Sequence, residues 1–166
     1  MGVRLELLWH RSAAFRLSVP YVPGFLAFRE VPALAQLLRH VPEALCPQAV
    51  LVDGNGAFHP RGCGAATHLG LTVALPTLGV AKEVLKVGAV TSATARHVAQ
   101  RLAPNDWRPL CDVAALLRPA VGKPLVVSPG HRMSLETSVR LCLKLCDGKS
   151  SPEPVRQALV EWGRAS

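Results

Sequence analysis

An α/β fold is what this 166-residue sequence predicts, and three observations predict it. Ala49–Val52, Pro76–Ala81 and Leu125–Ser128 are short apolar runs next to turn residues, the pattern of buried strands. Between the first two runs, Gly64–Leu69 has the character of a short helix, so strand, helix and strand form a parallel crossover. From Leu26 to Leu38 apolar residues return at helical intervals.

The remaining elements follow in order. Val3–Trp9 and Ala14–Pro20 favour strand, and His10-Arg11-Ser12 suits a hairpin turn between them. Pro32 sits comfortably only in a first helical turn, so the Leu26–Leu38 helix is expected to start near Arg29–Val31, with Glu30 at its entrance. Residues 54–62 are turn-rich. Ser92 is the expected cap of a helix running to Leu102, with Arg96 and Arg101 outward. Pro104–Lys123 is the least legible stretch, and one short helix around Val113–Leu117 is its expected element. Ser134 opens a helix in which Leu135, Val139, Cys142 and Cys146 share a face. After the linker-like Gly148–Ser151, a last helix starts at Pro152–Pro154 and runs towards Trp162.

The length fits one domain, residues 1–166, and a hydrophobic content of 49% suffices for its core. A net charge of +8 and a pI near 9.9 favour polyanion partners. No apolar run reaches the roughly 18 residues a membrane span needs, and the chain reads as soluble and intracellular. Cysteines 46, 63, 111, 142 and 146 form no CxxC pair and read as small buried hydrophobes rather than zinc ligands.

Asp53 is the foremost candidate for chemistry. In open α/β sheets ligands gather beyond the carboxyl ends of strands, where Asp53 emerges. Gly54 and Gly56 let a substrate approach the backbone, and a carboxylate there suits Mg²⁺. Asp-Gly-Asn-Gly by itself reads first as an Asx-turn closing a strand. Glu30, beside Arg29, is either an acid stabilised by a helix dipole or a second metal-site carboxylate. Tyr21, the one tyrosine, is held between Pro20 and Pro23; its ring can stack on a base or anchor a loop. His59 and His131 are the histidines to weigh, whereas His40, His68 and His97 fall in helical patterns. His131 follows Ser-Pro-Gly at a strand end, where it can orient water; Lys82 follows another strand end, where it can meet a phosphate.

Together these segments resemble the endonuclease V family of inosine-directed nucleases, which have an RNase H-like mixed sheet flanked by helices. The motifs are Pro-Tyr-Val-Pro-Gly-Phe-Leu-Ala-Phe-Arg-Glu at 20–30, Val-Asp-Gly-Asn-Gly at 52–56, His-Pro-Arg at 59–61, Pro-Thr-Leu-Gly-Val-Ala-Lys at 76–82 and Gly-His-Arg-Met-Ser-Leu at 130–135. The resemblance runs from about Leu5 to Ala158 and is faint between Val84 and Lys123. It implies that Glu30 and Asp53 are metal-site acids for Mg²⁺ or Mn²⁺, that His131 assists catalysis and that Lys82 stabilises phosphate charge. Pro20, Tyr21, Val22 and Pro23 then belong to a wedge that separates strands. Gly24, Leu26 and Gly54 line a pocket for the extruded base, and His59 is a further substrate-binding residue.

The implied reaction is hydrolysis of the second phosphodiester bond 3′ to inosine, in RNA or DNA. A monomer in the cytoplasm and nucleus or nucleolus, without membrane attachment, is the accompanying expectation. One departure tempers it. In the family a first, central strand with a further metal-binding aspartate precedes the region matching Val3–Pro20, and this sequence begins after it. The chain is therefore expected to be an N-terminally truncated form, short of one central strand and one metal ligand. Its activity is expected to be reduced; the alternatives are inosine binding without cleavage and a fragment that does not fold alone.

Overall fold

The protein is described here by a computed structural model covering residues 5–16 and 18–158. Its regular elements are α1 (Leu26–Leu38), β1 (Val50–Asp53), α2 (Ala65–Val73), β2 (Thr77–Ala81), α3 (Ser92–Gln100), β3 (Asp106–Cys111), β4 (Ala114–Arg118), β5 (Leu125–His131) and α4 (Leu135–Cys146). Residues 153–158 are helical, as expected from Pro152–Pro154, and the expected continuation to Trp162 lies outside the described residues.

The strands form one sheet in the order β1-β2-β5-β4-β3. β1 and β2 are parallel, joined through α2 as the crossover pattern required. Each other neighbouring pair is antiparallel, so the sheet is mixed. Alternation of side chains across the pleat divides the core. One face carries Leu78, Val80, Leu125, Val127, Ala115 and Leu117 against Val139 and Cys142 of α4. On the other, Ala81, Val126, Ala114 and Leu116 surround Phe58, while Val52 packs with α1 and α2 through Val31, Ala35, Ala66 and Leu69.

Several expectations are corrected. From Leu5 to Pro20 the described residues hold no strand, and Leu5, Leu7 and Leu8 are exposed; residues 3, 4 and 17 of that expected hairpin lie outside them. A two-stranded hairpin needs a neighbouring strand or packed face to be stable. Among the described residues no strand pairs with the outer side of β1. β1 is thus an edge strand. Only Val52 of it is buried, and Asp53 is exposed, where burial on both faces was expected.

Helix α1 starts at Leu26, earlier than Pro32 suggested, and holds Pro32 inside it. Burial of Ala27, Val31 and Ala35 against α2 outweighs the one lost backbone bond. Glu30 accordingly stands one turn inside the helix. Helix α3 is capped by Thr91, not Ser92, through a reciprocal capping box with Thr94, and ends at Gln100.

In place of a helix at Val113–Leu117 there is the β3–β4 hairpin. Ala114–Leu117 is buried on both faces, and a four-residue apolar run has no period to separate strand from helix. Pro109 lies in the outer strand at a register irregularity, where a missing N–H costs little. β5 continues three residues past Ser128, because β4 pairs only with Leu125–Val127 and leaves Pro129 free of a ladder on that side. Of the five cysteines, only Cys142 and Cys146 are buried.

Candidate active site

Parallel pairing sets the site. Asp53 is the last residue of β1 and is level with Val80 of β2, so Asp53 and Lys82 emerge at the same end of the sheet. α1 packs over β1 and brings Glu30 to this end. The two carboxyl groups are near enough to interact: burial holds the Glu30 pKa above its ordinary value, the Arg29 charge opposes that, and the Asp53 charge adds to it. Glu30 is half-buried and Asp53 exposed. Lys82 is exposed and, among the described residues, forms no salt bridge.

The chain after Asp53 crosses the sheet. Gly54 N–H donates to Val80 O at 3.0 Å, Gly56 N–H to Ser128 Oγ at 2.8 Å, and Ala57 N–H to Pro129 O at 2.7 Å. Residues 54–56 pass directly over Gly79, where a Cβ would overlap Gly54 O and Gly56 N. Phe58 then plugs the core, fully buried. Neither Gly79 nor Ser128 was singled out from sequence. The available signal was a glycine inside an apolar strand, which marks close approach of another backbone.

Beside the acids stands the turn that precedes α1. Phe25 N–H donates to Val22 O at 2.9 Å, and Gly24 takes φ +78°, a conformation that suits glycine. Pro20, Val22 and Pro23 are exposed, and Tyr21 is 67% exposed. Tyr21 therefore does not anchor the loop to the core. Leu26 is half-buried at the start of α1. His59 is buried under this turn; its pKa lies below the ordinary value through burial first and the Arg61 charge second, with Gly24 backbone hydrogen bonding in opposition.

His131 is not brought to this cluster. β5 runs against β2 and puts His131 level with Thr77, at the other end of the sheet from Asp53. Three residues along and two strands across correspond to roughly 14 Å between the Cα atoms of Asp53 and His131. There His131 N–H donates to Thr77 Oγ1 at 2.9 Å, and its Cβ abuts Gly70 of α2. A strand end looks alike in sequence whichever way the strand runs, and only the antiparallel pairing reveals which end it is.

A mixed, helix-covered sheet with an acid at a strand tip and a second acid on an overlying helix defines an RNase H-like α/β protein. The chain belongs to the Endonuclease V family, whose sequence profile matches residues 3–159. Human Endonuclease V is 44% identical over an alignment of 166 positions that covers 93% of this chain and 58% of the human one. That of Thermus thermophilus is 47% identical over 149 residues, covering 88% and 63%. The chain thus spans about three-fifths of the length of these relatives. The crystal structure of human ENDOV superposes with a TM-score of 0.79 at 42% identity, over 87% of this chain and 65% of that one. Ciona intestinalis Endonuclease V, crystallised with a 24mer DNA containing an inosine followed by a ribo-adenosine, gives 0.79 at 34% identity over 91% and 68%. Among the described residues no helix is long and apolar enough to cross a membrane.

Proposed function

We propose that this chain carries the inosine-recognition and acidic elements of an endonuclease that hydrolyses the second phosphodiester bond 3′ to inosine in RNA or DNA. The observation that carries this reading is the electrostatic coupling of Glu30 to Asp53, with Tyr21 projecting from the turn just before the helix that bears Glu30. The Ciona relative's inosine-containing DNA supports the substrate class.

Two carboxylates at one end of the sheet, the Asp53 charge adding to the burial that raises the Glu30 pKa, fit a hard divalent cation, Mg²⁺ or Mn²⁺. Such ions take one or two protein carboxylates and fill their other positions with water and phosphate oxygens. When bound, the metal supplies a more acidic water and positive charge for the leaving oxygen. Glu30 and Asp53 are the residues that would hold it. Lys82, at the same sheet end, offsets phosphate charge. Tyr21 stacks where the extruded base departed, while the backbone of Gly24, Leu26 and Gly54 borders that base.

A second reading, inosine binding without cleavage, is favoured by one observation: among the described residues no three His, Cys, Asp or Glu side chains gather around a metal position. Incubation with inosine- or adenosine-containing RNA and DNA in Mn²⁺ separates the two. Site-specific products are expected, and Asp53→Ala abolishes them while retaining most binding. Cleavage by Asp53→Ala at the parent rate overturns the metal assignment; inosine-specific retention without product establishes the second reading.

A further inference from the structure

We infer that Arg61 is a positioning residue: its guanidinium, laid on Phe25 and against Gly24, fixes the Tyr21 turn to the sheet and thereby sets selectivity for inosine over adenosine. The inference rests on the function proposed above and deepens it.

Phe58 is fully buried, and the next residues form a tight turn in which Gly62 N–H donates to His59 O at 2.8 Å and Arg61 N–H to His59 Nδ1 at 3.3 Å. The backbone of Arg61 is therefore held close to the core. Its side chain reaches across to the other loop, where the guanidinium carbon lies 3.8 Å from the centre of the Phe25 ring. The two terminal nitrogens lie 3.7 and 3.8 Å from where a Cβ on Gly24 would stand, so the guanidinium packs in ordinary contact distance of the turn at Gly24 as well. Among the described residues no acid pairs with Arg61, and the ring face is its partner.

The turn has further braces: His59 hydrogen-bonds the Gly24 backbone, and Arg29 Nη1–H donates to Val19 O at 2.9 Å. Phe25 packs on Phe28 at 6.2 Å between ring centres, and Phe28 meets His68 of α2 edge-on at 5.1 Å. Arg61 thus ties the turn to the 54–62 loop, and Phe28 ties it to α2. Tyr21 itself makes no side-chain hydrogen bond among the described residues, so its placement is set by what holds Val22–Phe25. A planar guanidinium stacks on an aromatic face with more contact than an ammonium, which explains an arginine at this position.

The competing role for a basic residue here is a phosphate contact, and the two roles separate cleanly. A phosphate contact contributes equally on any sequence and appears in the salt slope. A positioning role changes the ratio of affinities. Binding is read by anisotropy in the non-cleaving Asp53→Ala background, with RNA carrying one inosine or adenosine. Arg61→Ala is expected to reduce the inosine-to-adenosine affinity ratio about two- to five-fold, the worth of one exposed cation–π contact. Phe25→Leu should match it, and Arg61→Lys should recover part. Equal weakening on both RNAs, or an unchanged ratio, overturns the inference. If the parent shows no inosine preference, the functional reading fails instead. Amide exchange at Phe25 in the free protein then decides the clamp: faster exchange in Arg61→Ala upholds it, and an unchanged rate removes it.

Discussion

Residues 54–62 and 20–25 are two loops side by side at one end of the sheet, built on opposite plans. The first is bonded to β2 and β5 through Gly54, Gly56 and Ala57 and buries Phe58 at its middle. In the second, Tyr21, Val22 and Phe25 are all exposed, with a single turn bond inside it and an arginine laid across it. The difference teaches how the site divides its labour. The loop after Asp53 is bonded directly to the sheet, whereas the loop bearing Tyr21 is held through its neighbours and leaves its side chains exposed.

The sharpest way to break this comparison is to remove each loop's principal side chain and compare stability. Phe58→Ala should cost about 3–5 kcal/mol, as for other fully buried aromatics, and chemical denaturation measures it. A loss below about 1 kcal/mol would mean that the 54–62 loop is not part of the core.

A smaller effect comes from His59, which lies between the loops. Its pKa is lowered in the folded protein, mainly by burial. As pH falls through 6.5, its ordinary value, the unfolded chain takes up the proton first. Stability therefore declines with acidification from that point and levels off below the folded value. The slope cannot exceed about 1.4 kcal/mol per pH unit for one proton. Melting temperatures between about pH 7.5 and 5 should fall more steeply for the parent than for His59→Asn; parallel curves would show that His59 is not buried as described.

Smallest of all should be the stability change in Tyr21→Ala, within about 0.5 kcal/mol, as for other surface replacements. The same variant should nonetheless discriminate less well between inosine and adenosine RNA in binding assays. Preserved discrimination, or a large loss of stability, would make Tyr21 a structural residue.

The elements legible in the sequence were those with local signals. The parallel pair flanking α2 was announced by apolar runs, α4 by Ser134 and its helical period, and the turn before α1 by its prolines and Gly24. Elements defined by partners were not legible. Leu5–Pro20 alternates like a hairpin but has no strand to pair with among the described residues, and Ala114–Leu117 reads as helix or strand until β3 and β5 enclose it. The same division applies to the candidate site. Asp53, Lys82 and Tyr21 are each singled out by neighbouring residues, whereas the stacking of Arg61 on Phe25 joins positions 36 apart in sequence.

By itself, the sequence determined which residues form strands or helices of clear period, which acids stand at their ends, and to which family the motifs point. These depend on interactions within a few residues. Tertiary structure alone decided that Glu30 lies within electrostatic reach of Asp53, that His131 stands at the opposite end of the sheet, and that one loop holds the other. Strand direction and cross-loop contact are fixed by long-range pairing and burial, which no local pattern records.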